Sequence, residues 1–260
     1  MDLKKNLEIA KVTSAIAGKA ILEVYETGDF EIETKADDSP LTKADKKSHG
    51  IIFQSLQETN IPILSEEGLD IPYSERRKWE YFWLVDPLDG TKEFIKKNGE
   101  FTVNIALVQN GKPILGVVYI PVLEKLYYGL KDMGAFLEEN GNVTKLPFNK
   151  NETDTVRIVA SRNYLNDETK KFINLYPKQE LLSLGSSLKF MLLAEGNADV
   201  YPRLAPTSEW DTAASQAIVE ITGGKIINFA TKENLTYNKE NLINPFFIAY
   251  RENKYDLNLV

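Results

Sequence analysis

The sequence predicts an α/β protein with an α+β amino-terminal half and an α/β carboxy-terminal half. Two helical patterns open the chain, a run of strand-like segments follows, and strands then alternate with helices to the end. This change of pattern predicts a domain over residues 1–150 and a second over 151–260. With 260 residues, 43% of them hydrophobic, the chain can bury a sizeable core, either as one large domain or as two intimately packed halves.

The first helix is predicted over residues 2–26, where apolar and small side chains recur at spacings of three and four. These side chains are Leu3, Leu7, Ala10, Ser14, Ala17, Ile21 and Val24. The following segment DFEIETKAD, residues 29–37, is typical of a strand.

A second helix is predicted within residues 39–58. Ser39 and Pro40 form a start signal, and Thr42 and Asp45 have the spacing of a capping box, in which each side chain satisfies a free backbone N–H. The single histidine, His49, lies one turn after Asp45 and is expected on the helix surface.

Residues 81–148 have the pattern of an antiparallel sheet. The predicted strands are EYFWLV, FTVNIALV, ILGVVYI, KLYYGL, GAFLEE and NVTKL. The junctions QNGK and ENGN contain the Asn-Gly pair that favours tight hairpin turns.

Beyond the polar stretch NKNETD, strands and helices alternate, which predicts an α/β unit with crossover helices. The segments are, in order, VRIVAS (strand), DETKKFINLY (helix), ELLSLG (strand), SLKFMLLAEG (helix), DVYPR (strand), EWDTAASQAIVEI (helix), KIINF (strand) and FFIAY (strand). No internal repeat is visible in the chain.

Composition excludes several classes of function. A net charge of −7 argues against a broad surface for nucleic acid polymers, which needs clustered Lys and Arg. The absence of cysteine excludes disulfides, thiolate metal sites and cysteine nucleophiles. No apolar run is long enough for a transmembrane segment, and the start MDLKKNLEIAK lacks the apolar core of a signal peptide. We expect a cytoplasmic protein, either a monomer or a homodimer.

The stretch WLVDPLDGTKEF, residues 83–94, places two acids at the end of an apolar strand. Because Asp86 precedes a proline, the strand is expected to end there. Asp89 lies three residues further on, so the two carboxylates could converge. Converging carboxylates repel one another, and hard divalent ions such as Mg²⁺ prefer oxygen ligands of this kind.

The residues after these aspartates could receive an anion. If TKEFIKK begins a helical turn, the N–H groups of Gly90 and Thr91 point out of its amino terminus. The alternative is that Asp-Pro-x-Asp-Gly forms an ordinary surface turn.

Further acids lie in PILSEEGLD and SEWDTAAS. Glu66 and Glu67 follow a short apolar run, and Asp211 stands at the start of a predicted helix. Taken singly, the first two fit an exposed pair and Asp211 fits helix capping. Spacing along the chain leaves open whether any of them meets Asp86 and Asp89.

At these residues the chain resembles the inositol monophosphatase superfamily of Mg²⁺-dependent, lithium-sensitive phosphatases. The motifs SEEG, VDPLDGT and EWDTAA occur in the order of that family, and the resemblance covers nearly the whole chain. It implies the layered αβαβα sugar-phosphatase fold.

Within the superfamily the chain looks most like the CysQ-type 3'(2'),5'-bisphosphate nucleotidases. The resemblance rests on DPLDGTKEF, NGEFTVNIAL, ASRN, GSSLKF and DVYPR. These nucleotidases often carry a histidine shortly after Ser-Arg, where this chain has Asn163 and Tyr164, so the nucleoside contacts there stay open.

The resemblance implies a role for each matching residue. Two or three Mg²⁺ ions would be held by Glu66, Asp86, the Leu88 carbonyl, Asp89 and Asp211, with Asp86 as a bridge. Asp45 and Thr91 would orient the attacking water, a role that competes with the capping-box interpretation of Asp45. The substrate would be bound by Gly90, Thr91, Ser186, Ser187, Lys189, Tyr201, Arg203 and Asp211.

The implied reaction is hydrolysis of a phosphate monoester by metal-activated water. The substrate would be a nucleotide bisphosphate, 3'-phosphoadenosine 5'-phosphate, which is converted to AMP. A second candidate is 3'-phosphoadenosine 5'-phosphosulfate, a compound of sulfur assimilation. Inositol phosphates or other sugar phosphates are the alternatives within the class, and a non-catalytic cation-binding module is the alternative outside it. The Asp-x-Asp nucleophile of other phosphatases is absent, because Pro87 stands two residues before Asp89.

Overall fold

The computed structural model describes residues 1–35, 39–149, 154–161 and 166–251. The helices are α1 Leu3–Thr27, α2 Lys43–Gln57, α3 Tyr73–Arg76, α4 Thr91–Ile95, α5 Asp167–Ile173, α6 Leu188–Glu195 and α7 Ala213–Ile221. The strands are β1 Glu33–Thr34, β2 Pro40–Leu41, β3 Ile63–Ser65, β4 Tyr81–Asp89, β5 Thr102–Gln109, β6 Lys112–Ile120, β7 Lys125–Leu130, β8 Gly134–Glu139, β9 Asn142–Lys145, β10 Val156–Ser161, β11 Gln179–Leu184, β12 Val200–Arg203, β13 Gly224–Asn228 and β14 Phe247–Arg251.

The outer helical layer consists of α1 and α2. The predicted stripe of α1 is buried except at its first member, Leu3, which is half-buried. The predicted start of α2 at Ser39-Pro40 is wrong, since Pro40 lies in β2 and Thr42 is the residue that caps the helix. Within the described part of residues 29–37, only Glu33–Thr34 forms a strand.

Next to these helices lies the amino-terminal sheet, which has the order β3-β4-β5-β6-β7-β8-β9 in the described residues. Its pairs are antiparallel except β3 with β4. Both predicted hairpin turns are confirmed, because Asn110 and Gly111, like Asn140 and Gly141, have the positive φ angles that this turn needs.

Strand β4 does not end at Asp86, as its position before a proline had suggested. It continues to Asp89 through an irregularity in the pairing with β5, where Asp86 lies opposite Asn104 and Asp89 lies opposite Thr102. Three steps along β4 therefore match two along β5, which is a β-bulge. The bulge accommodates Pro87, whose nitrogen cannot donate a ladder hydrogen bond.

The carboxy-terminal sheet has the order β11-β10-β12-β14-β13 in the described residues. Strand β10 pairs in parallel with β11 and β12, which fits the predicted crossovers, whereas β14 runs antiparallel to β12 and β13. Helix α5 packs on the outer face of this sheet.

Helices α6 and α7 fill the space between the two sheets. Helix α7 packs on β5, β6 and β7 of one sheet and on β13 of the other, while α6 packs on β11, β12 and β14. Their apolar side chains join both sheets in one buried cluster. The predicted αβαβα layering is therefore confirmed, while the division at residue 150 stays a prediction. No helix in the described ranges has the length and apolar character needed to cross a membrane.

The contact between α7 and β6 depends on Gly116. A Cβ atom added there would lie 2.1 Å from the carbonyl oxygen of Ala214 and 3.0 Å from the Cβ of Ala217. Such distances are far below van der Waals contact, so glycine sets how closely α7 approaches the sheet.

We predict that Gly116→Ala lowers the free energy of unfolding by about 1–3 kcal/mol, because the backbone of α7 must move. Urea unfolding followed by circular dichroism measures this change. Gly50→Ala is the matched control, since no heavy atom lies within 4 Å of its added Cβ and alanine favours the helix. Equal stability of the two variants would contradict the close approach.

Candidate active site

The acidic side chains singled out in the sequence come from three places in the fold and face one another. Glu66 follows β3, Asp86 and Asp89 lie in β4, and Asp211 precedes α7. Burial, followed by the charges of Glu66, Asp89 and Asp211, raises the pKa of Asp86 well above its ordinary value. Burial and the neighbouring Asp89 and Glu66 raise the pKa of Asp211 to about 8. The structure thus brings these four carboxyl groups within electrostatic reach.

The β4 bulge is what allows Asp86 and Asp89 to share this site. Residues three apart on a regular strand face opposite sides, but their partners on β5, Asn104 and Thr102, are two apart and share one face. The extra residue in β4 therefore places Asp86 and Asp89 on the same face of the sheet. The Leu88 N–H donates to Asp86 Oδ1 at 3.0 Å, and this closes the bulge.

Asp89 accepts a hydrogen bond from the hydroxyl of Ser187, the residue immediately before α6. Ser187 Oγ donates to Asp89 Oδ2 at 2.9 Å and itself receives a hydrogen bond from Asn104 Nδ2 at 3.0 Å. Thr102 Oγ1 lies 3.3 Å from the same carboxylate oxygen. Motif matching missed Asn104 and Thr102, although their alternation in FTVNIALV places both on one face of β5.

Asp211 does not cap helix α7, since the residue at the cap is Thr212 and no side chain makes a capping hydrogen bond. Its Oδ2 instead accepts the Ser208 N–H at 2.9 Å. This hydrogen bond holds the carboxyl group beside β4, and the group is therefore not used to cap α7.

Lys35 supplies a positive charge that the motifs did not indicate. Its ammonium group donates to Glu66 Oε1 at 2.7 Å and also to Glu67. Burial would lower the pKa of Lys35, but the two glutamates outweigh this effect and raise it. Glu66 and Glu67 are therefore half-buried and paired, and the interpretation as an exposed pair is wrong.

Asp45 forms the predicted capping box and also faces Thr91. Its Oδ2 accepts the Thr42 N–H at 2.7 Å and the Thr42 hydroxyl at 2.5 Å, which completes the capping box. Its Oδ1 faces the Thr91 hydroxyl at 3.3 Å. Burial raises the pKa of Asp45, against the opposing effect of these hydrogen bonds from Thr42.

The donor set fits hard divalent cations. The set predicted from the sequence would consist of carboxylate oxygens and the Leu88 carbonyl, and Mg²⁺ prefers such oxygens. Carboxyl groups that raise one another's pKa values are stabilised when a cation lies between them. In the described ranges, no group of three or more acidic or histidine side chains stands at the spacing of a completed metal site.

A cavity of about 110 Å³ adjoins the carboxylates. It shares Asp89 and Asp211 with them. Besides Asp211, four of the predicted substrate contacts from the second half of the chain line it: Ser186, Lys189, Tyr201 and Arg203. Ser187 is not among the lining residues, because its hydroxyl turns toward Asp89. Asn163 and Tyr164 lie outside the described residues.

The wall of the cavity includes a buried ammonium group, that of Lys189. Burial lowers the pKa of Lys189 to about 8, although Asp89 opposes the shift. The Lys189 ammonium donates to the Ser186 carbonyl at 2.6 Å and lies 5.4 Å from the ring centroid of Tyr201. The Arg203 guanidinium donates to the Pro206 carbonyl at 2.8 Å, which holds it at the cavity edge. An anionic ligand would find two positive charges here.

Comparisons with known proteins agree with this geometry. The profile of the inositol monophosphatase family matches residues 2–255. The 3'(2'),5'-bisphosphate nucleotidase CysQ of Salmonella typhimurium is 46% identical over 236 residues, 89% of this chain and 94% of that protein. CysQ of Escherichia coli (strain K12) is 43% identical over 235 residues, with the same two coverages. The crystal structure of CysQ from Bacteroides thetaiotaomicron has a TM-score of 0.86 and 45% identity, over 97% of this chain and 98% of that one.

The chain therefore belongs to the inositol monophosphatase family. Phosphatases of this family are metal-dependent, typically with Mg²⁺, and the carboxylates described above suit such an ion. The resemblance inferred from the sequence motifs is confirmed.

We predict that Mg²⁺ binding at pH 7 releases protons, because metal ligands must be deprotonated and the pKa of Asp211 is about 8. The affinity for Mg²⁺ should rise with pH until this group has lost its proton. Titration calorimetry in two buffers of different ionisation enthalpy measures the release. Asp211→Asn should release fewer protons, and heats independent of the buffer in the unmutated protein would contradict the prediction.

The Asp211 carboxyl group also determines how the stability of the metal-free protein changes with pH. A free aspartate has an ordinary pKa of 3.8, so between about 4 and 8 the folded metal-free protein binds a proton at Asp211 that the unfolded chain has lost. The stability contributed by this group is therefore present at low pH and declines as pH rises through that window.

Proposed function

We propose that this protein is a Mg²⁺-dependent 3'(2'),5'-bisphosphate nucleotidase that removes the 3'-phosphate of 3'-phosphoadenosine 5'-phosphate to leave AMP. The observation that carries the proposal is the direct contact between two sites of opposite charge. The carboxylate cluster suits divalent cations, and the adjoining cavity holds Lys189 and Arg203 for a second anionic group. Relatives at 43–46% identity carry the same activity in their names.

Two or three ions would be held by Glu66, Asp86, the Leu88 carbonyl, Asp89 and Asp211. When bound, these ions would neutralise the phosphate oxygens and lower the pKa of a water molecule. Hydrolysis then needs positioning and charge neutralisation, with no covalent protein nucleophile.

Thr91 and Asp45 would orient the attacking water. The Thr91 hydroxyl donates to Asp45 Oδ1 or to the Leu88 carbonyl, both at 3.3 Å, so its oxygen lone pairs are left to accept a hydrogen bond from water. Because burial raises the pKa of Asp45, this carboxylate accepts a proton more readily than a free one.

The scissile phosphate would lie against the N–H groups of Gly90 and Thr91. Gly90 has a φ of 94°, and a Cβ added there would lie 2.9 Å from the Glu100 carbonyl oxygen. Glycine is therefore the residue that this turn tolerates, and it leaves the backbone open to a ligand.

The other phosphate and the nucleoside would occupy the cavity lined by Ser186, Lys189, Tyr201 and Arg203. An anion next to Lys189 would offset the burial that lowers the pKa of its ammonium group. Ser187, which we predicted as a substrate contact, would act by holding Asp89.

Inositol phosphates are the less favoured substrates, because the more similar relatives are named for bisphosphate nucleotides. A non-catalytic cation-binding module is disfavoured by the same relatives and by the Thr91–Asp45 pair, which a structural ion site does not need. We place the reaction in the cytoplasm, in keeping with the cysteine-free composition, and expect a monomer or a homodimer.

The experiment that tests the proposal measures phosphate release from 3'-phosphoadenosine 5'-phosphate and from inositol 1-phosphate with Mg²⁺. We expect a strong preference for the nucleotide and loss of activity in Asp89→Asn. Preference for inositol 1-phosphate would reverse the substrate assignment. Full activity with a chelator present would rule out the metal mechanism.

A second prediction concerns Thr91. Thr91→Ala should lower kcat by about 10²-fold or more while Mg²⁺ affinity stays nearly unchanged, because the variant loses a group that orients water. Thr91→Ser keeps the hydroxyl and is the matched control, with most of the activity retained. Equal turnover by wild type and Thr91→Ala would remove this residue from the mechanism.

A further inference from the structure

A second, larger concavity lies on the far side of Glu67 from the metal ligands, between α2 and the segment after β3. We call it the α2–β3 groove. Its volume is about 690 Å³, within the range of small-molecule sites in proteins. The lining residues are His49, Phe53, Gln57, Asn60, Ile61, Pro62, Ile63, Ser65, Glu67, Gly68, Leu69, Ile71, Glu75 and Trp79. None of them lines the catalytic cavity.

The groove is mainly apolar and aromatic. Phe53 and Leu69 are 37% and 90% exposed, and the indole of Trp79 forms part of the wall. The His49 ring lies 5.5 Å from that of Phe53, and its Nδ1 is 3.0 Å from Ser65 Oγ. His49 is therefore half-buried in the groove and is not the surface residue that its helix position suggested.

The charge of the groove has one sign. Among the described lining residues, the acidic side chains are Glu67 and Glu75, and no Lys or Arg is present. Burial lowers the pKa of His49, although Glu67 opposes the shift, so the imidazole is neutral at pH 7. Glu75 is exposed at the rim, where it can pair with a cation. Aromatic walls also attract cations through their ring quadrupoles.

The groove is connected to the metal ligands by one ammonium group. Glu67 lines the groove, and Lys35 donates to both Glu67 and Glu66. Glu66 is the adjacent residue on the side of Asp86. A positive charge placed in the groove would therefore act on the electrostatic environment of a metal ligand through Glu67 and Lys35.

We propose that the α2–β3 groove is a regulatory site for a small aromatic cation, in which the ring lies against Phe53 and Trp79 and the positive charge faces Glu75. Occupancy weakens Mg²⁺ binding, because the added positive charge acts on Glu66 through Glu67 and Lys35 and opposes a second positive charge there. The coupling is reciprocal, so Mg²⁺ weakens the aromatic cation by the same factor. The site goes beyond the proposed nucleotidase activity and stands independently of it.

The test uses 2-naphthylmethylammonium as the probe and 2-naphthylacetate as its matched anion, each titrated calorimetrically into the full chain without Mg²⁺. We expect the cation to bind with a Kd of about 1 mM or tighter and the anion to bind at least tenfold more weakly. Glu75→Gln and Phe53→Ser should each weaken the cation about tenfold. Glu58→Gln, an equal charge change outside the groove, and Val12→Ser on α1 are the controls.

A second titration measures the Mg²⁺ affinity at saturating probe, and we expect it to fall roughly fivefold or more. Equal binding of the two probes, or equal binding to wild type and both groove variants, would refute the site. Loss of probe binding in Asp89→Asn but not in the two groove variants would place the probe at the carboxylate cluster instead. Unchanged Mg²⁺ affinity would refute the coupling. None of these readouts requires catalytic activity, so they fail or succeed separately from the nucleotidase assignment.

Discussion

Mutual repulsion among buried carboxyl groups is the constraint on which this active site depends. Burial raises the pKa values of Glu66, Asp86 and Asp211, and the charges of neighbouring carboxylates add to the effect at Asp86 and Asp211. Here the acids sit on strand ends and at the start of a packed helix, so the surrounding layers keep them together. The folded chain keeps these carboxyl groups close together despite their repulsion, and a divalent cation reduces the repulsion when it binds.

The arrangement also explains why the hydrogen bonds around Asp89 matter. The hydroxyls of Ser187 and Thr102 both donate to Asp89 Oδ2, and the Asn104 amide donates to the Ser187 hydroxyl. Donors of this kind orient metal ligands and adjust how strongly they bind. Since Ser187 immediately precedes α6, its hydroxyl links this helix to Asp89, one of the two acids that the carboxylate cluster shares with the cavity.

Local patterns in the sequence predicted most of the secondary structure. The α1 stripe, the α2 capping box and the Asn-Gly turns depend on residues a few positions apart, so their physics is visible in short windows. The path of β4 was predicted less well, because proline before a turn usually ends a strand. The bulge that lets β4 continue depends on its pairing with β5, which no window around Pro87 contains.

The same distinction holds for the site. The conspicuous acids and Thr91 could be singled out because their motifs are compact, and the family resemblance linked motifs that are far apart. Lys35 and Asn104 could not be found this way, since their partners are 31 and 83 residues distant along the chain. Their roles arise from tertiary contacts, and each residue taken alone is an ordinary polar side chain on a strand or loop.

The position of α6 and α7 between the two sheets has a consequence for how such an enzyme can change. Lys189 lies on α6, Arg203 ends β12, and both are presented to the cavity from the carboxy-terminal half, whereas Glu66, Asp86 and Asp89 come from the amino-terminal half. Substitutions at the cavity residues of the carboxy-terminal half can therefore change the cavity while Glu66, Asp86 and Asp89 stay unchanged, and Asp211 is the acid of the predicted set that belongs to the same half as the cavity residues. Ser187, in the carboxy-terminal half, donates to Asp89 in the other half, and recombinant chimaeras would have to preserve this hydrogen bond.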